Sequence, residues 1–222
     1  MSNSFKTFLK HTAKDFHNQS VNPPIVRAST IIFKSMQDIR KMQNKAKKNP
    51  TGGYFDYGRQ GTSTTHILQQ ILSKLEESYF TFLTPTGFGA VFLAIFSVTR
   101  PGDEIIVADP VYSPTRLLAQ DFLKEFNIKT TFYDPHDLKT LEKSITKKTK
   151  LIFVENPGSN TFEFQDLGKI ISIAKKHKIL TAIDNTWGTP YFLKPIKLGF
   201  DMSIVSATKY YSGHSDVMGG SL

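Results

Sequence analysis

A lysine that follows two hydroxyl residues offers the most distinctive chemistry in this sequence. Lys209 stands directly after Thr208 and three residues after Ser206, and the apolar segment 200–205 comes just before them. A short apolar run of this kind predicts a buried strand, so the lysine would lie where the strand ends. Its amine could attack an aldehyde carbon while the hydroxyls hydrogen-bond a phosphate. The alternative, on these residues alone, is a solvated lysine in a polar turn.

Two other segments offer partners for an anion and for a cation. Gly87 and Phe88 open an apolar helix, where backbone N–H groups and the positive helix terminus could cradle a phosphate. The segment 86–89 matches no nucleotide-binding motif, and a simple turn is its alternative interpretation. Asp184 ends the apolar run 179–183, where a carboxylate is costly unless it pairs with a cation such as a protonated pyridine nitrogen. Its alternative is a cap on the next turn.

Aromatic and basic residues complete the set of candidates. Tyr112 follows a predicted strand and could stack on a flat ring, or it could be an ordinary rim aromatic. Tyr57 and Arg59 flank a glycine, and a guanidinium is well suited to clamp phosphate oxygens. Since both lie outside the predicted sheet, they could reach a neighbouring subunit. The histidines lack the spacing of metal ligands, so no metal site is predicted.

The elements that must position these residues are short apolar strands alternating with helices. Strands are predicted at 79–83, 104–108, 129–133, 150–154, 179–183 and 200–205, and helices at 35–48, 62–75, 88–98, 114–126, 137–145 and 164–176. This alternation predicts an α/β domain with a mainly parallel sheet covered on both faces. Ligands of such sheets bind beyond the carboxyl ends of the strands. The candidates that follow a strand should therefore share one crevice.

Composition limits the classes of function. The chain has 222 residues, 39% of them hydrophobic, which suffices for one sizeable core: a large domain at 56–222 preceded by an N-terminal arm at 1–55. The formal charge of +9 comes from dispersed basic residues without an aromatic-interleaved ladder, so no nucleic-acid partner is expected. The absence of cysteine excludes disulfides and thiolate catalysis and permits a reducing cytoplasm. We see no secretory signal and no apolar run of membrane-spanning length.

Five segments, at 21–33, 57–70, 155–159, 182–187 and 206–216, carry a family resemblance. With them the sequence resembles the Cys/Met-metabolism family of pyridoxal-phosphate (PLP) enzymes, and within it the cystathionine β-lyase branch. The last two segments are the most specific, because they place Asp184 and Lys209 at a separation of 25 residues (209 − 184). The resemblance implies the PLP-dependent transferase-like fold of type I, as in aspartate aminotransferase, with a mainly parallel seven-stranded sheet in the large domain.

The resemblance also implies roles around pyridoxal 5′-phosphate. Lys209 would form the Schiff base and move protons at the substrate Cα, Asp184 would pair with the pyridine nitrogen, and Tyr112 would stack on the ring. Ser159 stands where other branches carry an asparagine near the cofactor's 3-hydroxyl group.

The phosphate would be held from two sides. Gly87 and Phe88 would donate their backbone N–H groups, and Ser206 and Thr208 their hydroxyls. Tyr57 and Arg59 would reach the phosphate of the adjacent subunit in a homotetramer built as a dimer of dimers. Tyr57, like Lys209 and Tyr112, would therefore act at the catalytic centre.

The implied reaction is β-elimination of L-cystathionine to homocysteine, pyruvate and ammonia, a step of methionine and sulfur amino-acid metabolism. The segment 57–62 differs from the form typical of γ-synthases and γ-lyases, and the segment 184–187 resembles the bacterial β-lyases. Cystathionine γ-synthase or methionine γ-lyase chemistry is the alternative on the same scaffold.

The chain stops at Leu222, shortly after the lysine. Family members continue into a C-terminal domain whose arginine grips the substrate carboxylate, and this sequence has no counterpart of that arginine. We therefore expect either a fragment of a longer chain or a truncated, non-catalytic protein that holds cofactor or mediates assembly.

Overall fold

The computed structural model describes residues 22–222, and the arm predicted at 1–55 therefore lies partly outside the described residues. The described part divides into two compact units. The first reaches Lys74 and includes Tyr79–Thr81, and the second comprises Leu75–Ser78 and Phe82–Leu222. The division of the chain at residue 55 stays a prediction.

The first unit contains one complete helix and a short 3₁₀ turn. Helix α1 (Met36–Lys48) begins at Ser35, whose hydroxyl accepts the N–H of Asp38 at 3.2 Å and so satisfies a backbone donor that the helix leaves unpaired. The 3₁₀ turn is Gly58–Gln60, and a β-bridge joins Thr30 to Tyr57 just before it. Helix α2 (Ser63–Glu76) follows.

The second unit is built on a five-stranded parallel sheet with the strand order β3-β2-β4-β5-β6. Its strands are β2 (Glu104–Ala108), β3 (Lys129–Tyr133), β4 (Thr149–Glu155), β5 (Leu180–Asp184) and β6 (Met202–Ile204). Ile106, Phe153 and Ile183 on the three inner strands are at most 1% exposed. Strands buried on both faces in this way are why the sequence shows continuous apolar runs rather than alternation.

Helices cover the sheet and connect its parallel strands. They are α3 (Gly87–Val98), α4 (Ser113–Leu117), α5 (Leu123–Glu125), α6 (Leu138–Lys143), α7 (Leu167–His177), α8 (Thr189–Phe192) and α9 (Pro195–Leu198). The helix predicted at 114–126 is divided, because a π-helical turn at Leu118–Phe122 separates α4 from α5. In the described part of the chain, no helix is both long and apolar enough to cross a membrane.

Two further strands form a separate antiparallel pair. Strand β1 (Leu83–Thr84) pairs with β7 (Gly220–Ser221), and an isolated bridge connects Ser221 to Val205 just beyond β6. The predicted α/β fold is confirmed. In residues 22–222 the parallel sheet has five strands and not the seven expected, because β1 and β7 form a separate antiparallel pair. The ladder matters for the site because its strand β7 lies beside Val205, directly before the segment that carries Lys209.

Candidate active site

A cavity of about 670 Å³ opens at the carboxyl ends of β4, β5 and β6, beside the first turn of α3. Its volume lies within the range of ligand pockets. Seven predicted site residues from four separate segments line it: Gly87, Phe88, Tyr112, Asp184, Ser206, Thr208 and Lys209. The residues from the loops after β2, β5 and β6 meet because parallel strands all end at the same edge of the sheet. Gly87 and Phe88 follow β1 of the antiparallel ladder. All the lining residues belong to the second unit.

Lys209 lies on an exposed turn that backbone hydrogen bonds hold in place. Its N–H donates to the carbonyl of Ser206 at 3.0 Å, and its own carbonyl accepts the N–H of Gly213 at 2.8 Å. The start of this turn is fixed by the bonds between Val205 and Ser221, at 3.0 and 2.9 Å. The backbone that carries the amine is therefore hydrogen-bonded on both sides of Lys209, and the residue lines the cavity.

Thr208 is held by a different contact from the one predicted. Its hydroxyl donates to the carbonyl of Gly219 at 3.2 Å and accepts the N–H of Gly219 at 3.1 Å. Since a hydroxyl has one proton to donate, donation to a phosphate requires this O–H to turn away from Gly219. The predicted role of Thr208 as a phosphate donor stays a prediction.

Gly87 forms the first turn of α3 in close contact with Ser206. A Cβ at Gly87 would lie 2.5 Å from the Ser206 hydroxyl oxygen and 2.6 Å from its Cβ, so only glycine fits. The preceding Thr86 caps the helix by accepting the N–H of Gly89 at 2.9 Å. The N–H groups at the start of the helix and the Ser206 hydroxyl thus face the same end of the cavity, an arrangement suited to a phosphate.

Asp184 ends β5, and its accessible surface faces the cavity. Its carboxylate accepts the N–H of Thr186 at 3.0 Å, while the Thr186 hydroxyl accepts the N–H of Ser206 at 2.8 Å. Burial raises the pKa of Asp184, since its charge has lost water. No Lys or Arg forms an ion pair with Asp184 in the part of the chain that the structure describes. A cationic ring nitrogen would supply the missing partner.

Glu155 is a second carboxyl in the cavity, and sequence analysis assigned it no role. It ends β4 and is the register partner of Asp184 on β5. Its Oε2 accepts the N–H of Tyr112 at 2.7 Å, and the Ser159 side chain also hydrogen-bonds it. Burial and the neighbouring Asp184 raise the pKa of Glu155 to about 8. Its position after an apolar strand, the same signal that indicated Asp184, could have revealed it.

The remaining predicted residues are not among those that line this cavity. Ser159 lines a neighbouring cavity, where its N–H donates to the carbonyl of Pro110 at 2.6 Å. Its hydroxyl thus reaches the site only through Glu155. Tyr57 and Arg59 belong to the first unit, where the Arg59 guanidinium lies 5.8 Å from the centre of the Tyr57 ring. Among residues 22–222, no cluster of His, Asp or Glu is arranged to hold a metal ion.

Comparison with known proteins agrees with this geometry. The family model described as Cys/Met metabolism PLP-dependent enzyme matches residues 6–222. A cystathionine beta-lyase of Bordetella avium is 36% identical over 203 residues, covering 91% of this chain and 50% of that protein. An L-methionine gamma-lyase of Pseudomonas putida is 30% identical over 204 residues, covering 92% of this chain and 50% of its own length.

A solved structure is similar over nearly the whole chain. It is a Campylobacter jejuni protein assigned as an O-acetylhomoserine (thiol)-lyase and crystallised with N′-pyridoxyl-lysine-5′-monophosphate. The TM-score is 0.87 at 33% identity, with 97% of this chain and 53% of that one covered. The chain spans about half the length of the curated relatives it matches.

The fold and the cavity define a pyridoxal-phosphate-dependent enzyme domain of fold type I. Within that class, the chain belongs to the Cys/Met metabolism PLP-dependent family. The residues present fit the cofactor on structural grounds: Asp184 is a partly buried carboxylate without a cationic partner among the described residues, and Gly87 leaves room where any Cβ would clash. The predicted family and cofactor are thus confirmed.

Proposed function

We propose that the complete polypeptide is a carbon–sulfur lyase that converts L-cystathionine and water to homocysteine, pyruvate and ammonia. The observation that carries this proposal is the convergence of Lys209, Asp184 and Gly87 on one cavity. When bound, pyridoxal phosphate supplies an aldehyde that reacts with amines and a ring that takes up electron density from the substrate Cα. The protein supplies binding, orientation and proton transfer.

Six residues that line the cavity have proposed tasks. The Lys209 amine binds the cofactor aldehyde and then carries the proton that leaves the substrate Cα. Asp184 accepts the N–H of the ring nitrogen and keeps that nitrogen cationic. Tyr112, about half exposed, stacks its ring on the cofactor. The backbone N–H groups of Gly87 and Phe88 and the Ser206 hydroxyl hold the phosphate.

Borohydride reduction followed by peptide mapping tests the assignment of Lys209. We expect a pyridoxyl label on Lys209 alone in the complete polypeptide, and the other lysines serve as internal controls. A label on another lysine, or none, would overturn the proposed role. Lys209→Ala should abolish the label while the fold, checked by circular dichroism, persists.

Product analysis tests the reaction itself. Pyruvate from L-cystathionine marks β-elimination, whereas 2-oxobutanoate marks γ-elimination and would favour the γ-lyase alternative. That alternative is kept because a relative named as an L-methionine gamma-lyase is 30% identical to this chain. Neither product from the complete polypeptide would support the other class considered, a non-catalytic cofactor-binding or assembly protein.

Assembly is part of the proposal, since Tyr57 and Arg59 are proposed to reach the phosphate in a neighbouring subunit of a dimer of dimers. Arg59→Ala and Lys209→Ala subunits should each be inactive alone. Co-expression of the two should restore part of the activity, because some sites then receive an intact Arg59 from one chain and an intact Lys209 from the other. Failure to complement, with mixed oligomers present, would contradict it. We further expect a cytoplasmic location without nucleic-acid or membrane partners, which cell fractionation and DNA-retention assays check.

A further inference from the structure

Glu155 connects three segments that bring residues to the cavity. It belongs to β4, it lies beside Asp184 through the β4–β5 register, and its Oε2 accepts the Tyr112 N–H at 2.7 Å. The Tyr112 N–H is a strong donor at the start of α4, where no side chain caps the helix. The Glu155 carboxyl therefore takes the place of a cap for the segment that carries Tyr112.

Glu155 is itself held in place by a second residue, Ser159. The Ser159 side chain hydrogen-bonds Glu155, and the Ser159 N–H donates to the carbonyl of Pro110, two residues before Tyr112. The loop after β4 and the loop after β2 are thus joined twice. The Tyr112 side chain is about half exposed, and these two contacts constrain the backbone that carries its ring.

The clamp does not require a charged carboxyl. The titratable groups that line the cavity with Glu155 are Asp184 from β5, Tyr112 from the loop after β2, and Lys209 and Tyr210 from the turn after β6. Burial, and after it the neighbouring Asp184, raise the pKa of Glu155 and so favour its neutral acid form. The carbonyl oxygen of a neutral acid still accepts an N–H, and so does that of glutamine.

We propose that Glu155 is a positioning residue that fixes the Tyr112 ring for stacking on the cofactor by accepting the Tyr112 backbone N–H. This inference rests on the proposed role of Tyr112 in cofactor binding. It assigns Glu155 an action through hydrogen-bond acceptance rather than through negative charge beside Asp184. The distinction can be measured, because glutamine retains the first property and lacks the second.

The test measures binding of pyridoxamine 5′-phosphate to the complete polypeptide freed of cofactor, at pH 7. This probe has no aldehyde, so its affinity does not depend on bonding to Lys209. Trp187 lines the cavity, so quenching of tryptophan fluorescence reports binding. We expect Glu155→Ala to weaken binding on the order of tenfold and Glu155→Gln to stay within about threefold of wild type. Glu163→Ala, which removes a carboxyl from the neighbouring cavity, is the matched control and should bind as wild type does.

A double-mutant cycle shows whether Glu155 acts through Tyr112. In a Tyr112→Ala background the ring is gone, so Glu155→Ala should weaken binding much less than in the wild type. Additive effects, equal losses for Glu155→Gln and Glu155→Ala, or no loss in either would each overturn the inference. Thermal unfolding checks that the variants fold, and Glu155→Gln keeps the test decisive if Glu155→Ala does not.

The result also separates this inference from the proposed function. If wild type does not bind pyridoxamine 5′-phosphate, or if Tyr112→Ala binds as well as wild type, the proposed role of Tyr112 fails and this inference with it. If Tyr112→Ala weakens binding but Glu155→Ala does not, the role of Tyr112 stands and the inference about Glu155 alone is overturned.

Discussion

Substitution of Gly87 by alanine tests the contact between α3 and the segment that carries Lys209. The new Cβ would lie 2.5 Å from the Ser206 Oγ, 2.6 Å from its Cβ and 3.0 Å from its Cα. Carbon atoms in contact prefer separations of about 3.5–4.0 Å, so the methyl group would overlap three atoms by up to roughly 1 Å. Either the start of the helix or the segment after β6 must shift.

The magnitude follows from the cost of overpacking a close contact. We expect Gly87→Ala to lower the free energy of unfolding by about 1–3 kcal/mol. We also expect weaker phosphate binding, because a shift of roughly 1 Å takes backbone donors out of their hydrogen-bonding range of about 2.7–3.2 Å. Gly89→Ala is the matched control on the same helix. Its Cβ would have Thr86 Oγ1 at 3.2 Å as its nearest atom, so only a few tenths of an ångström of adjustment are needed.

The assay is urea unfolding of the complete polypeptide, combined with fluorescence titration by pyridoxamine 5′-phosphate. Ser206→Gly removes the atoms at 2.5 and 2.6 Å and should recover part of the stability lost in Gly87→Ala, with a coupling of about 0.5–3 kcal/mol. Ser206→Ala leaves the Cβ at 2.6 Å and should not recover it.

Two results would refute this reasoning. One is a Gly87→Ala variant as stable as Gly89→Ala, which would mean that helix and loop separate without cost. The other is an equal loss from Gly87→Ala in the wild-type and Ser206→Gly backgrounds, which would place the clash elsewhere.

Three further substitutions probe the second unit. Burial raises the pKa of Glu76, whose carboxyl accepts hydroxyl hydrogen bonds from Ser203 and Tyr211. The stability that the neutral carboxyl contributes is complete below about pH 4.5 and is lost as the pH rises through the folded-state pKa. In urea unfolding, Glu76→Gln should therefore gain stability relative to wild type between about pH 4.5 and 8, and a pH-independent difference would contradict this expectation. Tyr133→Phe removes the buried hydrogen bond to Gln165 and should cost about 1–3 kcal/mol by the same assay, whereas an unchanged midpoint would contradict it. Lys178 has a left-handed backbone conformation (φ 57°) at the end of α7, and Lys178→Gly should relieve the strain of that conformation. We expect a gain of up to about 1 kcal/mol in the free energy of unfolding, seen as a slightly higher melting temperature. A lower melting temperature would show that the lysine side chain contributes more than the strain costs.

The sequence alone was enough to predict the order of most elements in the second unit. The strands at 104–108 and 129–133 begin and end as predicted, because turns bound each one. Burial also leaves an apolar run in the first of them. The helix at 114–126 was only partly predictable. Its apolar spacing gives no sign of the π-helical turn at Leu118–Phe122, where Phe122 packs against aromatic residues of α3.

The convergence of the site was also predictable from the sequence. Lys209, Asp184 and Tyr112 each lie at or after the end of a parallel strand, and parallel strands end at a common edge. Gly87 follows β1, which belongs to the antiparallel ladder. The local sequence thus determined which side chains line the cavity, since the end of the sheet at which a residue lies depends only on its place in its own strand–loop unit.

Only the tertiary structure decided which of these residues touch. Glu155 lies beside Asp184 because β4 pairs with β5 in a particular register, and the Thr208 hydroxyl bonds Gly219 because β7 returns to the segment after β6. Ser159 lines the neighbouring cavity because its loop bonds Pro110. Strand order and register are set by packing between segments far apart in the chain. No local pattern encodes them, so the sequence determined the components of the site and the fold determined their partners.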